Sequence, residues 1–235
     1  ERSLRQLLRE CVITEHDIRG VCRNIRIHSV CQLTYVAYPK IKVTGMAPKA
    51  RSQMIEETRG KLLEAARLAF STVGYARTSM DELTASVGLT RGALYHHFGD
   101  KKGLFKAVAQ QIDAELDAQL AQVFEQADSH WQGFKDQCRL YLEMALQVEV
   151  QRILLRDAPS VLGSQYVQNT QSVCCLSMAS MLQGLMDTEV IQRTDPEALA
   201  RLIQGGLMDA SFWIAEADNP PQRLAAALDS LDLML

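Results

Sequence analysis

The chain has 235 residues, of which 47% are hydrophobic and 23% charged, proportions that are ordinary for a globular protein with a sizeable buried core. No stretch approaches the roughly 18 apolar residues that a membrane helix needs, and no signal peptide is visible, so we expect a cytoplasmic protein without a membrane partner. The six cysteines have neither the spacing of a zinc site nor that of a disulfide framework. We therefore expect reduced thiols, no metal and no cofactor.

The net charge of −3 conceals an uneven distribution along the chain. Residues 1–45 hold 8 basic and 4 acidic side chains, and residues 46–110 hold 10 basic and 6 acidic ones. Residues 111–235 hold 7 basic and 18 acidic side chains. Such asymmetry predicts a polyanionic partner for the basic part, and the acidic remainder would turn away from a phosphate backbone.

Residues 1–45 differ in composition from the rest of the chain. They contain a β-leaning run from Cys31 to Val43 without a clear period, and Met46 stands just before the first predicted helix. We interpret 1–45 as an extension that is either not native to the protein or disordered. The alternative is a basic arm that adds contacts to phosphates.

From residue 46 onward, apolar residues recur at helical spacing and predict an all-α fold. The first helix is predicted from Gln53 to Val73 and ends at Gly74. Its predicted buried stripe consists of Ile55, Leu62, Ala66, Phe70 and Val73.

Three polar residues predict the starts of the next helices. Ser79 caps a second helix that ends at Gly88, Thr90 caps a third that runs to Phe98, and Asp100 caps a fourth. The fourth helix spans Lys101 to about Ala127 and would bury Leu104, Val108, Ile112, Leu116 and Leu120. Further helices are predicted at about Trp131–Val150, Gln151–Asp157, Ser164–Met186, Pro196–Ala217 and Pro221–Leu233.

Residues 79–98 match the template of a helix-turn-helix, because two short helices flank the turn Val87-Gly88-Leu89-Thr90. In that template the first residues of the second helix point at base edges in the major groove. The guanidinium of Arg91 can bind O6 and N7 of one guanine, and Gly92 lets the helix backbone approach the DNA. From geometry alone, an ordinary helix-Gly-helix step with Tyr95 or Phe98 in the core remains an alternative.

The run LTASVGLTRGALYHHF from Leu83 to Phe98, followed by GDKKGLF and preceded by GKLLEAARLAFSTVGYARTSMDEL, resembles the N-terminal domain of the tetracycline-repressor (TetR) family of transcription regulators. The resemblance covers residues 52 to about 115, with Thr84 and Val87 where the family usually has alanine at packing positions. It implies a three-helix DNA-binding domain at 46–110 and a helical ligand-binding and dimerisation domain at 111–235. The DNA contacts that it implies, together with those expected from the helix-turn-helix, are Thr78, Ser79, Thr90, Arg91, Gly92, Ala93, Tyr95, His96, His97 and Lys101.

A regulatory domain of this kind needs a pocket between helices for a small-molecule effector. The segment Gln151–Gly163 resembles one found in some regulatory domains of the family. Arg152 and Arg156 could bind an anionic effector, could be exposed to solvent, or could pair with Glu149 or Asp157. The candidate pocket residues, each of which could instead be plain core, are Trp131, Phe134, Tyr141, Met144, Met178, Met181 and Met208.

A homodimer is expected, because a protein with two-fold symmetry reads a palindromic operator. Small residues beside large apolar ones on the helix Pro196–Ala217 would let it pair with Ser172–Met186 and the same helices of a second subunit. The alternative is packing within one subunit. The candidate interface residues are Gly205, Gly206, Ala210, Phe212 and Trp213.

The sequence therefore predicts a repressor that binds double-stranded operator DNA and is released by a small molecule of unknown identity. An activator or a global DNA-binding regulator of the same fold remains an alternative. A helical-bundle enzyme is disfavoured, because no Glu-x-x-His pair and no Gly-rich phosphate loop is present.

Overall fold

The computed structural model describes residues 48–235, with side chains from residue 52, and every regular element in this range is helical. The all-α prediction is confirmed, and no described helix is both long and apolar enough to cross a bilayer. The predicted extension 1–45 lies outside the described residues. The elements are α1 Pro48–Val73, α2 Met80–Ser86, α3 Arg91–Phe98, α4 Lys101–Gln126, α5 His130–Met144, a π-helical segment Val150–Asp157, α6 Ala158–Leu162, α7 Ser164–Asp187, α8 Pro196–Ala215 and α9 Pro220–Met234.

The predicted caps of α2, α3 and α4 are confirmed. The Ser79 hydroxyl accepts a hydrogen bond from the backbone N–H of Glu82 at 3.4 Å, and the Thr90 hydroxyl accepts one from Ala93 at 3.3 Å. The Asp100 carboxylate accepts one from Gly103 at 2.6 Å. Each side chain satisfies an amide that the helix itself leaves unpaired, and so fixes the residue at which the helix begins.

The first of two hydrophobic cores is formed by side chains of α1, α2, α3 and α4 together with the π-helical segment. On α1 the predicted stripe is correct for Leu62, Ala66 and Phe70, which are fully buried. It is wrong for Ile55 and Val73, which are 44% and 40% exposed, because the core against α1 begins only at Leu62 and the last turn of α1 faces solvent at Val73.

The second core is built from α5, α7, α8 and α9, with large buried side chains such as Phe134, Leu142, Leu182 and Leu185. The predicted domain boundary at 110/111 lies inside α4, as the predicted span of this helix implies, and Ile112 just beyond it is fully buried in the first core. The first core therefore includes side chains from beyond the boundary, among them Val150 and Ile153.

Two predicted helices near residue 150 have different bounds in the structure. The helix expected from Trp131 to Val150 ends at Met144, and the one expected at Gln151–Asp157 is π-helical and starts at Val150. Spacing of apolar residues does not reveal a π-helix, which is rare and is found mostly as short insertions near functional sites.

Candidate nucleic-acid interface and regulatory domain

The turn between α2 and α3 has the geometry of a helix-turn-helix. Gly88 adopts a positive φ of 66°, a conformation that favours glycine, and the next amide, of Leu89, donates to the carbonyl of Thr84 at 2.9 Å. On α3 the Leu94 side chain is fully buried and anchors the helix to the first core. The opposite face of α3, with Arg91, Gly92, Tyr95 and His96, is therefore turned to solvent.

Arg91 lies in the first turn of α3 and is held by two neighbours. Its Nε is 3.2 Å from Asp81 Oδ1, and its Nη2 donates to the Tyr95 hydroxyl at 3.2 Å. The hydrogen bond to Tyr95, and then the charge of Asp81, raise the pKa of Arg91. The sequence predicted Arg91 and Tyr95 on one face but missed Asp81, which is ten residues from Arg91 and on another helix.

The surface of α3 beside Arg91 has no side chain at Gly92 and is unobstructed. A Cβ added to Gly92 would meet only the Thr90 hydroxyl, at 3.7 Å, so the backbone of α3 is accessible from outside. Ala93 is half-buried beside it. His96 is exposed and His97 half-buried, and their rings pack edge to face at 5.5 Å.

Lys101 opens α4 but is not a free cation. Its Nζ donates to the carbonyl of Ala76 at 3.4 Å and lies 4.6 Å from the centre of the Tyr75 ring. Burial lowers the pKa of Lys101. The corner before it is tight, because a Cβ on Gly103 would lie 2.0 Å from the carbonyl oxygen of Phe98.

The two residues predicted ahead of α2 have different environments. Ser79 is half-buried and caps the helix. Thr78 is buried, and its hydroxyl donates to the carbonyl of Gly74 at 2.8 Å. Thr78 therefore supports the loop after α1, and its side chain does not face outward with the other predicted residues.

Arg67 joins three parts of the fold, a role that no pattern along the chain predicted. From α1 its Nη1 contacts Glu115 of α4 at 2.7 Å, and its Nη2 contacts Glu149 at 2.5 Å. The hydrogen bond to Glu149 raises the pKa of Arg67 against the effect of burial, and Glu115 adds to the rise. Such a two-sided arginine fork fixes the position of α1 relative to both partners.

Arg152 of the π-helical segment contacts the C-terminal end of α1. Its Nη2 donates to the carbonyl of Val73 at 3.2 Å, and its Nε is 3.7 Å from Asp157, which accepts the backbone N–H of Tyr75 at 2.8 Å. Gly74 provides the space, because a Cβ there would lie 2.0 Å from the Arg152 guanidinium. Of the alternatives for Arg152, pairing with Asp157 is the one observed.

The predicted pocket residues do not all meet in one cavity. Trp131 and Phe134 line an apolar pocket of about 410 Å³ between α5, α7, α8 and the end of α9. Met144 is buried elsewhere, and Met181 is half-buried on α7. The remaining three have these environments: Tyr141 and Met178 pack against the second core, and Met208 accepts a hydrogen bond from Gln171.

The described cysteines Cys138, Cys174 and Cys175 are free. Burial raises the pKa of Cys138 to about 12 and that of Cys174 to about 11. Because the thiolate is the reactive form, these two side chains are poor candidates for redox chemistry.

An apolar surface covers adjacent faces of α7 and α8. Val173 and Leu176 of α7 are 68% and 65% exposed, and Leu202 of α8 is 75% exposed. The predicted interface residues lie on the same helix: Gly205 and Gly206 are exposed, Ala210 and Phe212 are half-buried, and Trp213 is 45% exposed.

Comparison with known proteins covers both halves of the chain. The family model for bacterial regulatory proteins of the tetR family matches residues 62–108, and the model for the tetracyclin repressor-like C-terminal domain matches residues 131–235. The chain is 36% identical over 192 residues to the HTH-type transcriptional repressor Rv1474c of Mycobacterium tuberculosis, over 79% of this chain and 96% of that protein. It is 28% identical to the HTH-type transcriptional regulator CymR of Pseudomonas putida, over 72% of this chain and 87% of that protein.

Solved structures agree with this assignment. The crystal structure of a TetR-family transcriptional regulator from Pectobacterium atrosepticum (ECA1819) superposes with a TM-score of 0.70 at 52% identity, over 78% of this chain and 94% of that one. Regulators of this family bind DNA and dimerise, and they are not enzymes. The chain therefore belongs to the TetR family and is a DNA-binding transcriptional regulator.

Proposed function

We propose that this regulator is a repressor that binds a palindromic operator as a homodimer and leaves it when a small molecule binds. The observation that carries the proposal is the exposed first turn of α3, where Arg91 projects beside the unobstructed backbone at Gly92. A helix enters the major groove with its N-terminal residues at the base edges, and an arginine there reads guanine. The relative Rv1474c is a transcriptional repressor, which favours repression over activation.

The contacts divide into base reading and backbone positioning. Arg91, Gly92, Ala93 and Tyr95 are assigned to the major groove. His96, His97, Thr90 and Ser79 are assigned to flanking phosphates, and Lys101 is assigned to a phosphate beside the N-terminus of α4. To reach DNA, Arg91 exchanges Asp81 for a base. Thr78 is assigned a supporting role, through its hydrogen bond to Gly74.

Dimerisation is proposed through the apolar faces of α7 and α8. An antiparallel four-helix arrangement would cover Leu202 and Trp213 and would use the low surface at Gly205 and Gly206. With two-fold symmetry this arrangement would present two copies of α3 to one duplex, as an operator with half-sites about 34–36 Å apart requires. A protein with this function acts in the cytoplasm, where the chromosome lies.

Release is proposed to run through α4, because this helix carries Lys101 at one end and continues into the regulatory half. Arg67 ties α1 to α4 and to Glu149, and Arg152 ties the π-helical segment to the end of α1. A ligand that moves either partner in the regulatory half therefore moves the DNA-binding helices. Only a ligand that binds the DNA-free conformation more tightly can do this.

The test has two stages. Mapping of bound DNA across the genome identifies the operator, and fluorescence anisotropy then measures affinity for it and for a scrambled duplex at several salt concentrations. We expect preference for a palindrome and a steep loss of affinity with salt. Equal affinity for the scrambled duplex would contradict a specific repressor.

The matched control is Arg193→Ala. Arg193 is an exposed arginine in the loop after α7, far from α3 in the chain, and it pairs with Asp187. It should leave operator affinity unchanged where Arg91→Ala reduces it. A reporter gene behind the operator separates the two regulatory modes: loss of the protein should raise expression for a repressor and lower it for an activator.

A further inference from the structure

Asp81 places a carboxylate beside the base-reading side chain of α3. It is the second residue of α2, and its side chain is 68% exposed. One of its oxygens, Oδ1, is 3.2 Å from Nε of Arg91, and the other, Oδ2, accepts a hydrogen bond from Nη1 of Arg91 at 3.4 Å. Because Arg91 is assigned to a guanine in the major groove, the Asp81 carboxylate lies at the edge of the same groove when the protein is on DNA.

The exchange proposed for Arg91 leaves the Asp81 carboxylate without its ion-pair partner on DNA. The guanidinium turns its fork of N–H groups to O6 and N7 of guanine. The phosphates along the groove repel a carboxylate that has lost its cation. On the base edges in the major groove, the hydrogen-bond donors are the amino groups N4 of cytosine and N6 of adenine. A carboxylate at this place therefore finds a base partner in these two amino groups.

Cytosine suits a carboxylate better than adenine does. In adenine the acceptor N7 lies beside the amino group, so the second carboxylate oxygen would face another acceptor. Cytosine has no acceptor beside N4 on its major-groove edge, and acidic side chains accordingly bind cytosine. The amide of asparagine has one donor and one acceptor and matches adenine instead. The base bound at this place therefore depends on whether the side chain is a carboxylate or an amide.

The separation of the two side chains indicates which base pairs they reach. Successive base pairs are spaced about 3.4 Å along the duplex axis, close to the 3.4 Å between Asp81 Oδ2 and Arg91 Nη1. Because Arg91 leaves Asp81 when it binds guanine, the two groups no longer share one place. We therefore assign them to neighbouring base pairs.

A purely structural role for Asp81 has a built-in comparison in Glu82, the next residue. Both carboxylates lie in the first turn of α2, where negative charge is favourable to the helix dipole. Glu82 is exposed and forms no ion pair with any described residue, whereas Asp81 pairs with Arg91. Helix stabilisation and repulsion of phosphates apply to both residues and do not depend on the DNA sequence.

We propose that Asp81 is a second specificity-determining residue, whose carboxylate binds the amino group of a cytosine next to the guanine bound by Arg91. The inference rests on the proposed function, because it needs α3 in the major groove. In the free protein the two side chains neutralise each other, and on a half-site with both bases each finds a new partner. On other sequences at least one charge is left unpaired, which disfavours those sequences.

The test begins with selection of bound sequences from a random duplex library, using the full chain. We expect wild type to select a cytosine beside a guanine in each half-site. Asp81→Ala should lose the preference for cytosine and keep that for guanine, whereas Arg91→Ala should lose the guanine. Asp81→Asn should select adenine where wild type selects cytosine. A new base preference cannot come from a variant that fails to fold.

Fluorescence anisotropy then measures affinity for duplexes that differ at that one base pair. Wild type should bind the cytosine duplex about fivefold or more tightly than the others, as expected for one mismatched position. Asp81→Ala should bind them all alike, and Asp81→Asn should bind the adenine duplex most tightly. Glu82→Gln is the matched control, because it removes the same charge from the same turn. It should change affinity for all duplexes by one factor and keep both base preferences.

Three outcomes overturn the proposal. If Asp81→Ala still selects cytosine, or behaves like Glu82→Gln, the carboxylate acts only as a charge near phosphates. If Asp81→Ala loses the guanine instead, Asp81 supports Arg91 and contacts no base. If wild type selects no cytosine beside the guanine, there is nothing for Asp81 to read. In each case Arg91→Ala still tests the proposed function separately, and only a wild-type protein that selects no sequence at all would contradict that function.

Discussion

Asp113 gives a prediction about stability that follows from its position in the unliganded protein. The pKa of this half-buried carboxyl rises from 3.8 to about 6 because burial, and then the nearby charge of Asp117, disfavour its ionised form. Between these values the native protein keeps a proton that the unfolded chain has lost, so the free energy of unfolding falls as pH rises through this window. Above pH 6 the full penalty is present, and below about pH 4 it vanishes.

The shift of about two units corresponds to about 3 kcal/mol at neutral pH, with about 1.5 kcal/mol already present at pH 5. Asp113→Asn removes the charge and keeps an oxygen that can accept from Tyr166. The variant should therefore be more stable than wild type, and its advantage should grow by about 1.5 kcal/mol from pH 5 to pH 8.

Urea unfolding at fixed protomer concentration measures this difference, since stability of a dimer depends on concentration. Asp229→Asn on α9 should change stability little and without a trend in pH. An Asp113→Asn protein that is less stable than wild type at pH 8, or whose advantage does not change with pH, would refute the assignment of a raised pKa to this half-buried carboxyl.

Four further predictions concern DNA binding and assembly. Arg91→Ala should weaken operator binding by about 5- to 150-fold in anisotropy titrations and relax base preference at one position per half-site. Lys101→Ala should weaken all duplexes alike and reduce the salt slope by about one per subunit. Gly103→Ala should lower the free energy of unfolding by about 1–3 kcal/mol in urea titrations, because its Cβ would meet the Phe98 carbonyl. Trp213→Ser should shift the dimer towards monomer in analytical ultracentrifugation, since it removes an exposed ring from the α8 face.

Each of these has an outcome that would contradict it. Wild-type operator affinity in Arg91→Ala would mean that the register of α3 on DNA is wrong. An unchanged salt slope in Lys101→Ala would mean that the wild-type Lys101 ammonium does not reach a phosphate. It would then stay on the Tyr75 ring and the Ala76 carbonyl in the complex as well. Gly60→Ala is the control for Gly103, because a Cβ at Gly60 on α1 meets nothing within 4 Å. A fully dimeric Trp213→Ser protein would mean that the dimer interface lies on another face of the protein.

Much of the DNA-binding end could be predicted from the sequence because its determinants are local. Ser79, Thr90 and Asp100 cap the helices that follow them, and Gly88 adopts the positive φ that the turn requires. Caps depend on a few neighbouring residues, so the pattern alone predicted the residues at which α2, α3 and α4 begin. The start of α1 was predicted at Gln53 but lies at Pro48, where no such capping residue marks it in the sequence. The regulatory half was harder, since apolar spacing does not distinguish a pocket from a core or a π-helix from an α-helix.

The sequence by itself determined the helical fold, the helix-turn-helix and the exposed face of α3, because capping, turn chemistry and amphipathic spacing act within about ten residues of the chain. Only the tertiary structure decided which charges meet: Arg67 contacts Glu149, 82 residues away, and Tyr166 contacts Asp113, 53 residues away. These pairs depend on how separate helices pack, and spacing along the chain carries no record of that packing. For the same reason the environment of Asp113, which accepts a hydrogen bond from Tyr166, became visible only when α4 and α7 were brought together.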